Sequence, residues 1–179
     1  VSMVCRSIYN ILFATESLGM SVEAYGNCIG DGALVGLIIT LPLGLLVDKF
    51  HPIRVYGIGM LLVIISNIYG FYFVNDAASF RIVTILLTMV YAVQWVSNLP
   101  LLIALFPKER YGQFCSALSI LNSLIMIIAP LGAGLVIKSF GYRFMFMWDF
   151  VFTCVAMVFL ILMYMGWNKN GGQDNYQAP

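Results

Sequence analysis

The chain has 179 residues, 61% hydrophobic and 9% charged, with a formal net charge of +1; an ordinary soluble domain is about half apolar and about a quarter charged. No water-soluble fold of this size can hide so much apolar surface, and nine scattered cations build no basic patch for nucleic acid. Cys5, Cys28, Cys115 and Cys154 lie far apart inside apolar runs, without a CxxC pair or a nearby histidine, which excludes a disulfide framework and a zinc site as expectations.

The opening segment, Val1 to about Leu18, reads as the outer part of a membrane helix. It starts with valine and lacks the layout of a signal peptide, so the chain reads as the tail of something longer. Arg6, Tyr9, Asn10 and Phe13 recur at i, i+3, i+4 and i+7, which puts them on one polar and aromatic stripe. A charge at mid-bilayer costs about 2.5 to 3.5 kcal/mol, so Arg6, with Tyr9 and Asn10, is a candidate contact for a sugar or a carboxylate. The competing reading is that Arg6 snorkels to water near a helix end, and Glu16 is expected to be wet.

A second span runs from about Tyr25 to Val47, interrupted only by Asp31. Asp31 lies about one and a half turns inside and is a candidate carrier of a coupling proton or sodium ion, or else a hydrated outer residue. Gly26, Gly30, Gly32 and Gly36 around it predict tight packing. The loop "GLLVDKFHPIRV" follows. Asp48 and Lys49 fall at a helix end, where Asp48 can meet a neighbouring helix terminus or a basic side chain in a contact that breaks when that side opens. Gly44, one turn earlier, is expected to let two helices approach closely. The alternative is that Asp48, Lys49, His51 and Arg54 form a solvated loop, with His51 exposed.

Uncharged stretches over 55–75, 82–107, 111–137 and 150–168 predict four further spans, each near or above the roughly 20 residues that cross a bilayer. In the second of these, Tyr91, Gln94, Trp95 and Asn98 share one helical face and form the most site-like stripe in the chain. Amides bond hydroxyls without a charge and aromatic faces pack on the apolar side of a pyranose, although such amides also glue membrane helices together. The next span carries Ser116, Ser119, Asn122 and Ser123, then Pro130, Gly132 and Gly134; these predict close packing, with Asn122 as the one candidate ligand. Asp149 is expected to pair with a loop cation. Residues 1–168 thus form the transmembrane body, and 169–179 a disordered polar tail.

Runs this long and continuously apolar mean helices, because backbone groups in lipid must be satisfied within the segment. The fold class is therefore all-α, a bundle of six transmembrane helices. Lys49, Arg54, Lys108, Arg110 and Lys169 fall at one end and Arg81, Lys138 and Arg143 at the other, which places the first group in the cytoplasm.

Three stretches resemble the major facilitator superfamily of secondary transporters, in its C-terminal six-helix half. Gly44, Asp48, Lys49 and Arg54 are similar to its loop pattern of Gly, three residues, Asp, a basic residue and a later basic residue, with Pro52 near where that family often has Gly. In "FPKERYGQ", Pro107, Arg110 and Gly112 look like the elements joining helices ten and eleven. In "APLGAGLVIKSFGYRFMF", Gly132, Gly134, Gly141, Tyr142, Arg143 and Phe146 look like a Gly-rich helix followed by Gly, aromatic, Arg, aromatic. The resemblance implies helices seven to twelve, a missing N-terminal six-helix half as partner, and transport of a small polar solute, such as a sugar, by rocking about a central cavity. It further implies a plasma or inner membrane location, a proton or sodium ion as a coupling candidate, and a cytoplasmic gate at Gly44, Asp48, Lys49, Arg54 and Arg110. A membrane-embedded enzyme is disfavoured, because the chain has one histidine and no HExxH, nucleophile elbow or carboxylate pair. A non-transporting subunit or receptor on the same scaffold is the other alternative.

Overall fold

A computed structural model describes residues 2–172 and 176, with side-chain surroundings given from residue 5 onward. Among them every element is helical: α1 (Ser2–Leu12), continued by a π-helical turn over Phe13–Ser17, then α2 (Val22–Phe50), α3 (Pro52–Phe73), α4 (Ala77–Leu105), α5 (Tyr111–Phe140) and α6 (Phe144–Lys169). Helices α2 to α6 are each long and apolar enough to cross a membrane. The six-helix expectation is thus met by five full spans and one shorter opening helix.

Local chemistry sets the helix ends. Ser21 accepts from the Ala24 amide at 3.1 Å to start α2, and Asp76 with Ser79 forms a capping box that starts α4. Between α2 and α3 the chain turns on one residue. His51 sits at φ 71, a region that disfavours a side chain, and Pro52 opens α3 at a position where its missing N–H costs nothing. The positive φ expected of a glycine in this loop therefore falls on His51. The opposite turn uses Gly141 at φ 92, after which Arg143 donates to the carbonyl of Val74 at 2.5 Å and to Asn75 Oδ1 at 2.9 Å. Those bonds satisfy the frayed C-terminal end of α3 and pin it to the start of α6.

Helix α4 packs on α2 and α3, α3 also packs on α6, and α6 holds α1 and α5. Small residues set the closest approaches. A Cβ at Gly32 would meet Thr88 Oγ1 at 2.8 Å, one at Gly132 would meet Trp148 at 2.9 Å, and one at Gly134 would meet the Tyr9 hydroxyl at 2.6 Å. Gly26, Gly30 and Gly44 have nothing within 4 Å of such a Cβ, so of the α2 glycines Gly32 and Gly36 are the ones that meet a neighbouring helix, and no close approach is made at Gly44 among the described residues. Phe13, Phe80 and Phe146 anchor one apolar cluster. At the other end, Ile53, Met60, Leu101, Leu160 and Trp167 form a second, against which Tyr176 packs. The Tyr176 hydroxyl donates to the Leu105 carbonyl at 3.2 Å; of the tail expected to be disordered, residues 173–175 and 177–179 lie outside the described residues.

Candidate solute site and buried ion pair

Helix α4 is the common wall of three cavities. The first, of about 160 Å³, is lined by Tyr56, Tyr91, Gln94, Trp95 and Asn98. The second, of about 510 Å³, shares Tyr56, Tyr91 and Gln94 and continues along α6 past Phe152, Thr153 and Phe159. The third, of about 220 Å³, lies toward α2, between Gly36, Thr40, Thr88 and Trp95. No charged side chain lines any of them. The four stripe residues thus converge on one cleft, and α3 adds Tyr56, which sequence reasoning missed because a lone tyrosine in an apolar run carries no pattern. Trp95 is 74% exposed and Asn98 is also exposed. A carboxamide on the open face of a membrane helix needs water or a partner to satisfy it.

The polar stripe of α1 has a different setting. Arg6 and Asn10 are buried, and Arg6 Nε donates to Asp149 Oδ2 at 2.6 Å. Arg6 Nη2 also donates to Asn67 Oδ1, and the guanidinium lies 4.7 Å above the Phe146 ring. The expectation that Arg6 faces a solute is corrected: its charge is spent inside the bundle. Tyr9 donates to the Pro130 carbonyl at 2.9 Å, so it joins α1 to α5 rather than lining the cleft. Asn10 stays within the packing, and its Oδ1 has no donor among the described residues.

Asp149 is correspondingly corrected. Helix α6 starts at Phe144, which carries Asp149 into the span with 0% exposure, where it pairs with an intramembrane arginine and not with a loop cation. Its Oδ2 also accepts from the Tyr91 hydroxyl at 3.4 Å. Arg6, Asn67, Tyr91 and Asp149 therefore bring four helices to one point. The signal in the sequence was the co-occurrence of one cation and one anion in different spans, with Asn67 as the lone amide of a third.

Asp31 lies nine residues after Val22, about two and a half turns deep, deeper than expected. It pairs with Arg81 at 2.5 Å across α2 and α4, in a half-open setting. Asn122 is exposed on α5 and lines none of the three cavities, whereas Ser116, Ser119 and Ser123 donate to carbonyls one turn back in their own helix. Of the residues expected to form a gate, Asp48, Lys49, Arg54 and Arg110 are all exposed. The ion pairs among the described residues are Arg6–Asp149 and Arg81–Asp31, so no clasp involving Asp48 closes within them. His51 is half-buried on the Trp167 ring, with centroids 4.6 Å apart, and its Nδ1 accepts from the Ile53 amide at 3.4 Å. Burial and the nearby Arg54 push its pKa below the usual histidine value.

Comparison with curated proteins and with solved structures gives no match. The family model described as the Major Facilitator Superfamily matches residues 1–174, nearly the whole of a chain already read as membrane-spanning helices around an uncharged cleft. The chain therefore belongs to the major facilitator superfamily, a family of membrane transporters.

Proposed function

We propose that the protein moves a small, uncharged polar solute, such as a sugar, across the membrane by alternating access, with this chain as the C-terminal half of the carrier. The observation that carries the reading is the charge-free cleft of Tyr56, Tyr91, Gln94, Trp95 and Asn98. Two carboxamides supply donors and acceptors to hydroxyl groups, and two phenols and an indole offer flat apolar faces. A charged solute would find no counter-charge there. An N-terminal six-helix half would close the open side of the cleft and complete the exposed Asp48 and Arg110 gate. The basic end carrying His51 faces the cytoplasm in this reading, and the membrane is the plasma or inner membrane.

Asp31 is a partly exposed acidic group well inside α2, and a proton or a sodium ion competes there with Arg81. Replacing Asp31 with Asn abolishes uphill uptake while leaving exchange, in this proposal. The site itself is tested by uptake of labelled sugars, organic acids and amino acids by the full-length protein. Gln94→Ala and Asn98→Ala are expected to raise KM for the transported sugar about tenfold each, the loss of one hydrogen bond to a partner left unpaired. Uptake restricted to anions or cations would remove the reading.

A further inference from the structure

Tyr91 has a double membership. The residue lines all three cavities along α4, while its hydroxyl reaches Asp149 Oδ2, the same oxygen that takes the Arg6 Nε–H. Thr153 also touches both regions, but its hydroxyl donates at 2.6 Å to the Asp149 backbone carbonyl, within α6, and so says nothing to the carboxylate. Tyr91 is thus the side chain through which the buried ion pair meets the cleft.

We propose that Asp149, held by Arg6, is a positioning residue for the solute site: it fixes the Tyr91 phenol in the wall of the cleft without touching the solute. The proposal rests on reading that cleft as the solute site. Stability alone does not call for the pair, because two well-packed apolar side chains of similar volume hold buried helices together as well as a salt bridge or better. What an apolar pair cannot do is accept a hydrogen bond from Tyr91. The arrangement also explains why a charge can sit beside the cleft without selecting charged solutes. Arg6 and Asp149 neutralise each other behind the phenol, so the cleft receives an oriented ring and no net field. An exposed amide such as Asn98 can adjust to a solute, whereas a buried phenol held by a carboxylate is preorganised, and preorganised contacts lose little entropy on binding.

The test uses the full-length protein in detergent and in liposomes. The double replacement Arg6→Met with Asp149→Leu removes the acceptor while leaving no orphaned charge; should it fail to fold, Arg6→Gln with Asp149→Asn takes its place. Tyr91 is labelled as 3-fluorotyrosine, and its fluorine resonance reports the ring's setting without any solute. The expected result is a shifted or broadened resonance, with KM for the best sugar found by uptake raised about tenfold and Vmax kept within twofold. Tyr91→Phe should raise KM equally, and combining it with the double replacement should add nothing further. An unmoved resonance, an unchanged KM, or losses that multiply in the combined variant would overturn the proposal. If the wild type transports no sugar, the solute reading fails by itself, and the resonance still decides whether the ion pair positions Tyr91.

Discussion

Gly70→Ala places one methyl group where α3 meets α6. Its Cβ would lie 2.5 Å from Phe146 Cδ1 and 3.0 Å from Cζ, against about 3.5 to 4.0 Å for carbon atoms in ordinary contact. The ring must give by about 1 Å; a cavity of about 240 Å³ borders it beside Asn67 and Phe150, but its other neighbours resist the shift. Phe146 is 1% exposed, the Phe13 ring meets it edge-on with centroids 5.8 Å apart, and the Arg6 guanidinium stands 4.7 Å above it. Overpacking of this kind costs about 1 to 3 kcal/mol. The gain in helix propensity from Gly to Ala, about 1 kcal/mol, partly hides that cost, so Gly44→Ala, whose Cβ meets nothing within 4 Å, is the proper reference. At about 2 to 4 °C per kcal/mol for a chain of this size, Gly70→Ala should melt roughly 2 to 12 °C below Gly44→Ala in a thermal shift assay in detergent. Adding Phe146→Leu should recover part of the difference. If Gly70→Ala melts at or above Gly44→Ala, the packing of α3 against α6 is wrong.

Two further outcomes follow from the buried pair and the turn between α2 and α3. Arg6→Ala leaves Asp149 buried without its cation and should cost about 3 to 5 kcal/mol, read as a loss of folded protein on heating, while the paired apolar replacement should melt near the wild type. His51 has its pKa lowered by burial on Trp167 and by Arg54, so the folded state prefers the neutral ring. Its contribution to stability is present above the ordinary histidine pKa and is lost as pH falls through that value toward the lowered one. The melting midpoint of the wild type should therefore drop between pH 7.5 and 5.5 by more than that of His51→Asn, a residue that tolerates positive φ; parallel curves would refute this.

Most of the helical plan was legible because a bilayer enforces it: runs without charge must be helices, and α3 to α6 begin and end within a few residues of the charges that bound them. Asp149 shows the limit of that rule. Treating every charge as a boundary starts the last span after it, whereas a buried arginine compensates it and lets the helix begin at Phe144. Periodicity found the Tyr91, Gln94, Trp95 and Asn98 face because one helix supplies all four. It could not say that the equally regular Arg6 face turns inward, since the direction of a face depends on what other helices bring, here Asn67 and Asp149. The strained turn at His51 replaces the glycine that a loop pattern suggests, and only the backbone reveals which residue takes the positive φ.

The most direct measurement of the central claim is the accessibility of position 98. In the full-length protein, Asn98→Cys should react with a membrane-impermeant thiol reagent, because the residue is exposed on the polar face of α4. A saturating concentration of the transported sugar should slow that reaction several-fold. A cysteine at 98 that never reacts, or that reacts at the same rate with and without the sugar, would contradict the assignment of this cleft as the solute site.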